Sequence, residues 1–174
     1  WAASKTFSYN GTSYSMTYSY SGEITDDDCA NPARGQGYLG DVWEPNTSPA
    51  SLHTYMMEGG LSDPFLQFLD SDKALIPGAQ NDDAGDDDNG DGSAYSAFIP
   101  TTAGVSYVMA TTFSKGNRGT YTLYSSVPLT EVTECPQVIT ATFTGGSYGS
   151  TVEAVASTNQ ALNVTVTSQT TSVC

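Results

Sequence analysis

Lys5-Thr6-Phe7-Ser8-Tyr9-Asn10-Gly11-Thr12-Ser13-Tyr14-Ser15-Met16-Thr17-Tyr18-Ser19-Tyr20 decides the fold class. Large side chains alternate with small polar ones, the period-two signature of a strand whose successive residues face opposite sides. Asn10-Gly11 is a strong two-residue turn signal between such runs. Residues 5–22 therefore read as a β-hairpin. Phe7 and Tyr9 lie on the first arm. Tyr14, Met16, Tyr18 and Tyr20 share one face of the return arm, and this aromatic stripe is expected to be core rather than a ligand platform.

The same period recurs outward from this hairpin, and no run places apolar residues at i, i+3, i+4 and i+7. Residues 52–57, 65–69, 95–99, 106–112 and 120–125 read as strands. The last two are joined by the turn Lys115-Gly116-Asn117-Arg118-Gly119. After Pro136, residues 138–144, 151–157 and 161–167 read as three more, separated by Gly145-Gly146 and Thr158-Asn159-Gln160. Residues 23–49 read as loop because of Pro32, Pro45, Pro49 and several glycines. Regularly spaced short strands with turn signals predict an all-β, antiparallel sandwich or barrel. The expected organisation is a sandwich over 1–128 that includes the N-terminal hairpin. Residues 129–174 are expected to add strands to that sandwich or to form a small appended unit.

Acidic residues outnumber basic ones by 19 to 5, a formal net charge of −14. Phosphate binding needs clustered Lys and Arg, so nucleic acid and anionic membrane surfaces are excluded as expected partners. No stretch approaches the roughly 20 apolar residues of a membrane-spanning helix. Trp1 opens the sequence without Met, as after removal of a signal peptide. Sequons at Asn10, Asn46 and Asn163 hint at glycosylation. These features together predict a secreted, extracellular or cell-surface protein.

Three cysteines, Cys29, Cys135 and Cys174, fit no zinc-ligand spacing. In an oxidising compartment two would pair. Cys135 and Cys174 bracket the last segment, so a disulfide between them is the first expectation, with Cys29–Cys135 as the rival.

The densest chemistry lies in residues 80–92. Asp82, Asp83, Asp86, Asp87, Asp88 and Asp91 place six carboxylates in ten positions, with Asn81 and Asn89 beside them. Carboxylates so close repel unless a cation neutralises them. Ca2+, which takes six to eight oxygen ligands in flexible geometry, is the expected one. Asp87-x-Asn89-x-Asp91-Gly92 has the spacing of the first half of an EF-hand loop. The twelfth position is Phe98 rather than Glu and no helices flank it, so it is not an EF-hand. Glu23, Asp26, Asp27 and Asp28 are candidates for a second cation site.

Five pieces of the middle of the chain, in order, resemble the bacterial pre-peptidase C-terminal domain family, which includes collagen-binding domains of secreted collagenases. They are Asp63-Pro64-Phe65-Leu66, Leu69-Asp70-Ser71-Asp72, Asn81-Asp82-Asp83, Ala103-Gly104-Val105-Ser106-Tyr107-Val108 and Gly119-Thr120-Tyr121-Thr122-Leu123. The similarity covers about 50–126. It implies a jelly-roll-like sandwich, secretion and calcium near the Asn81-Asp82-Asp83 loop, with those three as ligands. Two departures stand out: the loop after Asp83 is longer and more acidic, and Lys73 replaces the usual turn glycine.

Catalysis is not expected. The single histidine, His53, reads as a packing or surface residue. No Gly-x-Ser-x-Gly elbow, phosphate loop or paired metal histidines occur. The expected function is a non-catalytic, calcium-stabilised structural or adhesive subunit of a surface or matrix assembly. It would associate with copies of itself, as a filament by strand exchange through the extended ends 1–9 and 161–174. The alternative is an accessory module that targets a secreted protein to protein matrix or polysaccharide, using tyrosines and Trp43 as an aromatic platform. An exposed aromatic row favours the second reading; an unpaired sheet edge favours the first.

Overall fold

The structure is a computed structural model that describes residues 4–9, 11–48, 53–82, 96–98, 105–136, 139–143 and 154–158. Every paired strand is antiparallel and no helix occurs among these residues. In chain order the strands are β1 (Lys5–Tyr9), β2 (Thr12–Met16), β3 (Tyr18–Ile24), β4 (Cys29–Asn31), β5 (Gly35–Pro45), β6 (Tyr55–Glu58) and β7 (Pro64–Leu69). They continue with β8 (Leu75–Asn81), β9 (Ser96–Phe98), β10 (Tyr107–Thr112), β11 (Gly119–Ser125), β12 (Leu129–Val132), β13 (Ile139–Phe143) and β14 (Ala154–Thr158).

Two sheets make an antiparallel β-sandwich. One runs β12-β5-β10-β7-β8, with β4 also paired to β5; the other runs β3-β11-β6-β9. The chain alternates between them, and their inner faces share one core. Leu39, Trp43, Leu66, Phe68, Val108 and Ala110 enter it from the first sheet. Ile24, Tyr55, Met57, Tyr121 and Leu123 enter it from the second. Burying each such large side chain stabilises the fold by roughly 1.5–3 kcal/mol.

The outer faces are covered too. The β1–β2 hairpin packs Met16 and Phe7 against Met56 and Tyr124, the outward residues of the second sheet. Lys5 pairs with Glu58 and lies 5.0 Å over the Tyr124 ring. The Tyr14–Tyr20 stripe is thus divided at Thr17. Met16 goes to the outer cluster, whereas Tyr20 packs into the main core against Trp43, ring centroids 5.2 Å apart. On the first sheet, Cys29, Val42, Leu69 and Met109 form the outer cluster, with Cys135 packed on it.

The disulfide joins Cys29 and Cys135, Cα atoms 5.0 Å apart, which corrects the expected Cys135–Cys174 bridge. β4 and β12 lie end to end along one edge of β5: Cys29 is opposite Gly40 and Val132 opposite Val42. Strand pairing therefore brings Cys135 to Cys29 despite the 106 residues between them. Cys174 lies outside the described residues.

The expected loop over 23–49 is also corrected, because it contains the eleven-residue β5 in the middle of a sheet. Its glycines are not turn signals throughout. A Cβ on Gly40 would stand 2.3 Å from the carbonyl oxygen of Ala110, so the close approach of β5 to β10 requires glycine there. At the β7–β8 turn, Lys73 adopts φ 59, the left-handed conformation that glycine favours.

Candidate functional site

The acidic stretch begins where β8 ends and stops where β9 begins. β8 is the edge of the first sheet and β9 the edge of the second. The chain therefore leaves the edge of one sheet at Asn81 and re-enters at the edge of the other at Ser96, and β9 lies against β7 and β8. Of the expected calcium ligands, Asn81 and Asp82 fall within the described residues; Asp83, Asp86, Asp87, Asp88, Asn89 and Asp91 lie outside them.

Asn81 is positioned by its register. It pairs with Leu66, and residues directly opposite share a face, so its side chain lies on the core side of the sheet. Its amide oxygen is buried and has no hydrogen-bond partner among the described residues. A buried acceptor without a donor costs about 1–3 kcal/mol. A carbonyl oxygen of this kind is a hard ligand suited to Ca2+. One residue earlier, Gln80 faces outward and accepts a 3.1 Å hydrogen bond from Gln67, which in turn accepts from buried Asn31. That polar row fixes the β7–β8 register at the root of the loop.

The residues of the second acidic cluster have separate partners. Asp26 pairs with Arg118 at 2.8 Å. Asp28 accepts the backbone N–H of Thr25, and Asp27 donates its own N–H to the Thr25 hydroxyl. Glu23 points to solvent on β3. Among the described residues no three Asp, Glu, His or Cys side chains converge as metal ligands.

Two features were invisible in the sequence. Asp41 lies on the inner face of β5 between Leu39 and Trp43, accepting a hydrogen bond from the Tyr121 hydroxyl, which accepts one from Trp43 Nε1 at 3.0 Å. Burial pushes the Asp41 carboxyl up to about 6, against the lowering effect of the Tyr121 hydrogen bond, with Asp28 and Glu131 repelling its charge. The Trp43 platform is corrected by the same contacts: its indole is buried. Second, His53 is 1% exposed, with Nε2 3.0 Å from Thr47 Oγ1 and Nδ1 3.1 Å from the Tyr55 hydroxyl. Burial lowers its basicity.

The sequon residue Asn46 is exposed just beyond β5, its amide donating a 2.9 Å hydrogen bond to Thr130. Asn10 and Asn163 lie outside the described residues. No protein-family model matches the chain, and no curated protein matches it.

Proposed function

We propose that this chain is a non-catalytic, extracellular, calcium-stapled β-sandwich that serves as a structural or adhesive subunit and associates with copies of itself. The observation that carries this reading is β3. It is a seven-residue edge strand, hydrogen-bonded on one side to β11 and unpaired on the other among the described residues. It contains neither Lys nor Pro, the residues that commonly blunt such edges. An unpaired edge accepts a strand from a neighbouring chain through main-chain hydrogen bonds.

Calcium acts mechanically in this reading. Bound at the root of the acidic segment through Asn81 and Asp82, it neutralises the carboxylates and ties the β8 edge of one sheet to the β9 edge of the other. The resemblance to pre-peptidase C-terminal domains points the same way. The Cys29–Cys135 disulfide supports an oxidising, extracellular setting. The accessory-module alternative calls for an exposed aromatic row. Among the described residues Phe113, 47% exposed, is the one large hydrophobic side chain in the open.

His53 supports the non-catalytic reading. Thr47 and His53 are spaced as a nucleophile and base would be, but the third partner is the Tyr55 hydroxyl rather than a carboxylate. Among the described residues no carboxylate is hydrogen-bonded to the ring, and burial disfavours an imidazolium there. Sedimentation velocity with calcium and with chelator tests the assembly. Calcium-dependent growth of particles supports it; a monomer in both conditions contradicts it.

A further inference from the structure

A separate pocket of about 240 Å³ opens at the end of the six-stranded sheet where β8 begins, at the opposite end of β8 from Asn81. We propose that this pocket binds one neutral sugar unit of a polysaccharide, through the Glu44 carboxylate and the hydroxyls of Thr47, Ser71 and Ser106. Its volume lies below the roughly 300–1,000 Å³ of sites for drug-sized ligands, which suits a single sugar ring.

The lining selects the chemistry. Among the described residues Glu44 is its one charged side chain, so an anion is repelled. One carboxylate is too few for a calcium site, which needs six to eight oxygens and several formal charges. Pro45 and Val105 supply apolar wall, and Tyr107 closes one side. A carboxylate accepts hydrogen bonds from two neighbouring sugar hydroxyls, while the protein hydroxyls both donate and accept. The quaternary nitrogen of a choline-like guest has neither an N–H for the Glu44 carboxylate nor an acceptor for the protein hydroxyl hydrogens.

The Thr47 hydroxyl and the backbone that carries Ser71 and Ser106 are held before any ligand arrives. Thr47 is fixed by the buried His53, whose other ring nitrogen is held by Tyr55. Ser71 sits in a turn clamped by Asp70, whose carboxylate accepts the N–H groups of Asp72 and Ala74, both at 2.9 Å. Ser106 donates its N–H to the Leu69 carbonyl at 2.9 Å. Lys73 lies 5.5 Å over the Tyr107 ring and donates to the Glu134 carbonyl, holding that wall. A backbone fixed in this way reduces the ordering cost of binding, which matters most for a small polar guest.

The test is an amide-resolved NMR titration of the full chain with galactose, mannose, N-acetylglucosamine and, as a competitor class, choline, each in calcium and in chelator. The expected result is saturable shifts confined to residues around 44–47, 71 and 105–107 with at least one sugar. Glu44→Gln and Ser71→Ala are expected to weaken binding at least about tenfold with unchanged melting. Glu44 and Ser71 are exposed, so neither variant threatens the fold. No saturable shift with any sugar up to about 50 mM, shifts that survive both substitutions, or a response to choline alone overturns the proposal. Because the pocket shares no residue with the candidate calcium ligands, that failure leaves the calcium and assembly reading standing.

Discussion

The Tyr121 hydroxyl donates a 2.6 Å hydrogen bond to the Asp41 carboxylate, tying β11 of one sheet to β5 of the other. Tyr121 reaches that far because its partner on β3 is Gly22. A Cβ there would stand 2.3 Å from the phenol ring. Asp41 in turn faces the place on β5 where β12 ends and β4 begins.

This arrangement gives stability a defined pH dependence. The folded protein raises Asp41 from 3.8 to about 6, so folding favours the protonated acid. The native state bears no penalty from this group well below pH 4. A penalty grows as pH rises and is complete above about 6. Asp41→Asn keeps an oxygen for the Tyr121 hydroxyl and removes the charge. Melting temperatures across that range are expected to show the variant gaining on the parent chain as pH rises. A constant difference at every pH would contradict the assignment.

Gly22→Ala is expected to displace the Tyr121 ring and with it the hydrogen bonds to Asp41 and Trp43. Forcing atoms into a packed interior costs typically about 1–3 kcal/mol. Denaturant unfolding measures the loss, and the double variant Gly22→Ala/Asp41→Asn should lose less than the sum of the two. Additive effects would show that the residues are not coupled.

The disulfide is checked by mass spectrometry of a non-reduced digest, in which the Cys29 and Cys135 peptides are expected to be linked. Replacing both with Ser should cost about 2–5 kcal/mol. A Cys135–Cys174 link would contradict the strand order along β5.

Ser21→Lys places a charge on the open edge of β3, where Ser21 is exposed. It is expected to reduce calcium-dependent particles in sedimentation without lowering the melting temperature by more than a degree or two, since surface changes of this kind stay within about 0.5 kcal/mol. Undiminished assembly would locate the contact elsewhere.

The strands legible in the sequence were those with one face wet or a clean turn between them. Lys5–Tyr9 and Thr12–Met16 alternate around Asn10-Gly11, and β11 keeps the same period. β5 escaped because both its faces are covered: Val42 and Trp43 are adjacent and both buried, so alternation disappears. Its Gly40 looked like a loop residue because nothing local reveals the Ala110 carbonyl against it. β8 was hidden by Pro77-Gly78, tolerated because this is an edge strand with an irregular register. The acidic segment was legible as chemistry from composition alone. Its position between the edges of two sheets was not, because that depends on β7–β8 and β6–β9 pairing. Asp41 was missed for the same reason: its partner, Tyr121, is 80 residues away.

The most direct test of the central claim is the calcium dependence of melting, measured on the parent chain and on Asn81→Ala and Asp82→Ala. Calcium at about a hundred times its dissociation constant should stabilise the parent chain by about 2.7 kcal/mol relative to chelator. Both variants should lose most of that gain. Identical melting of the parent chain with calcium and with chelator would contradict the calcium-stapled sandwich.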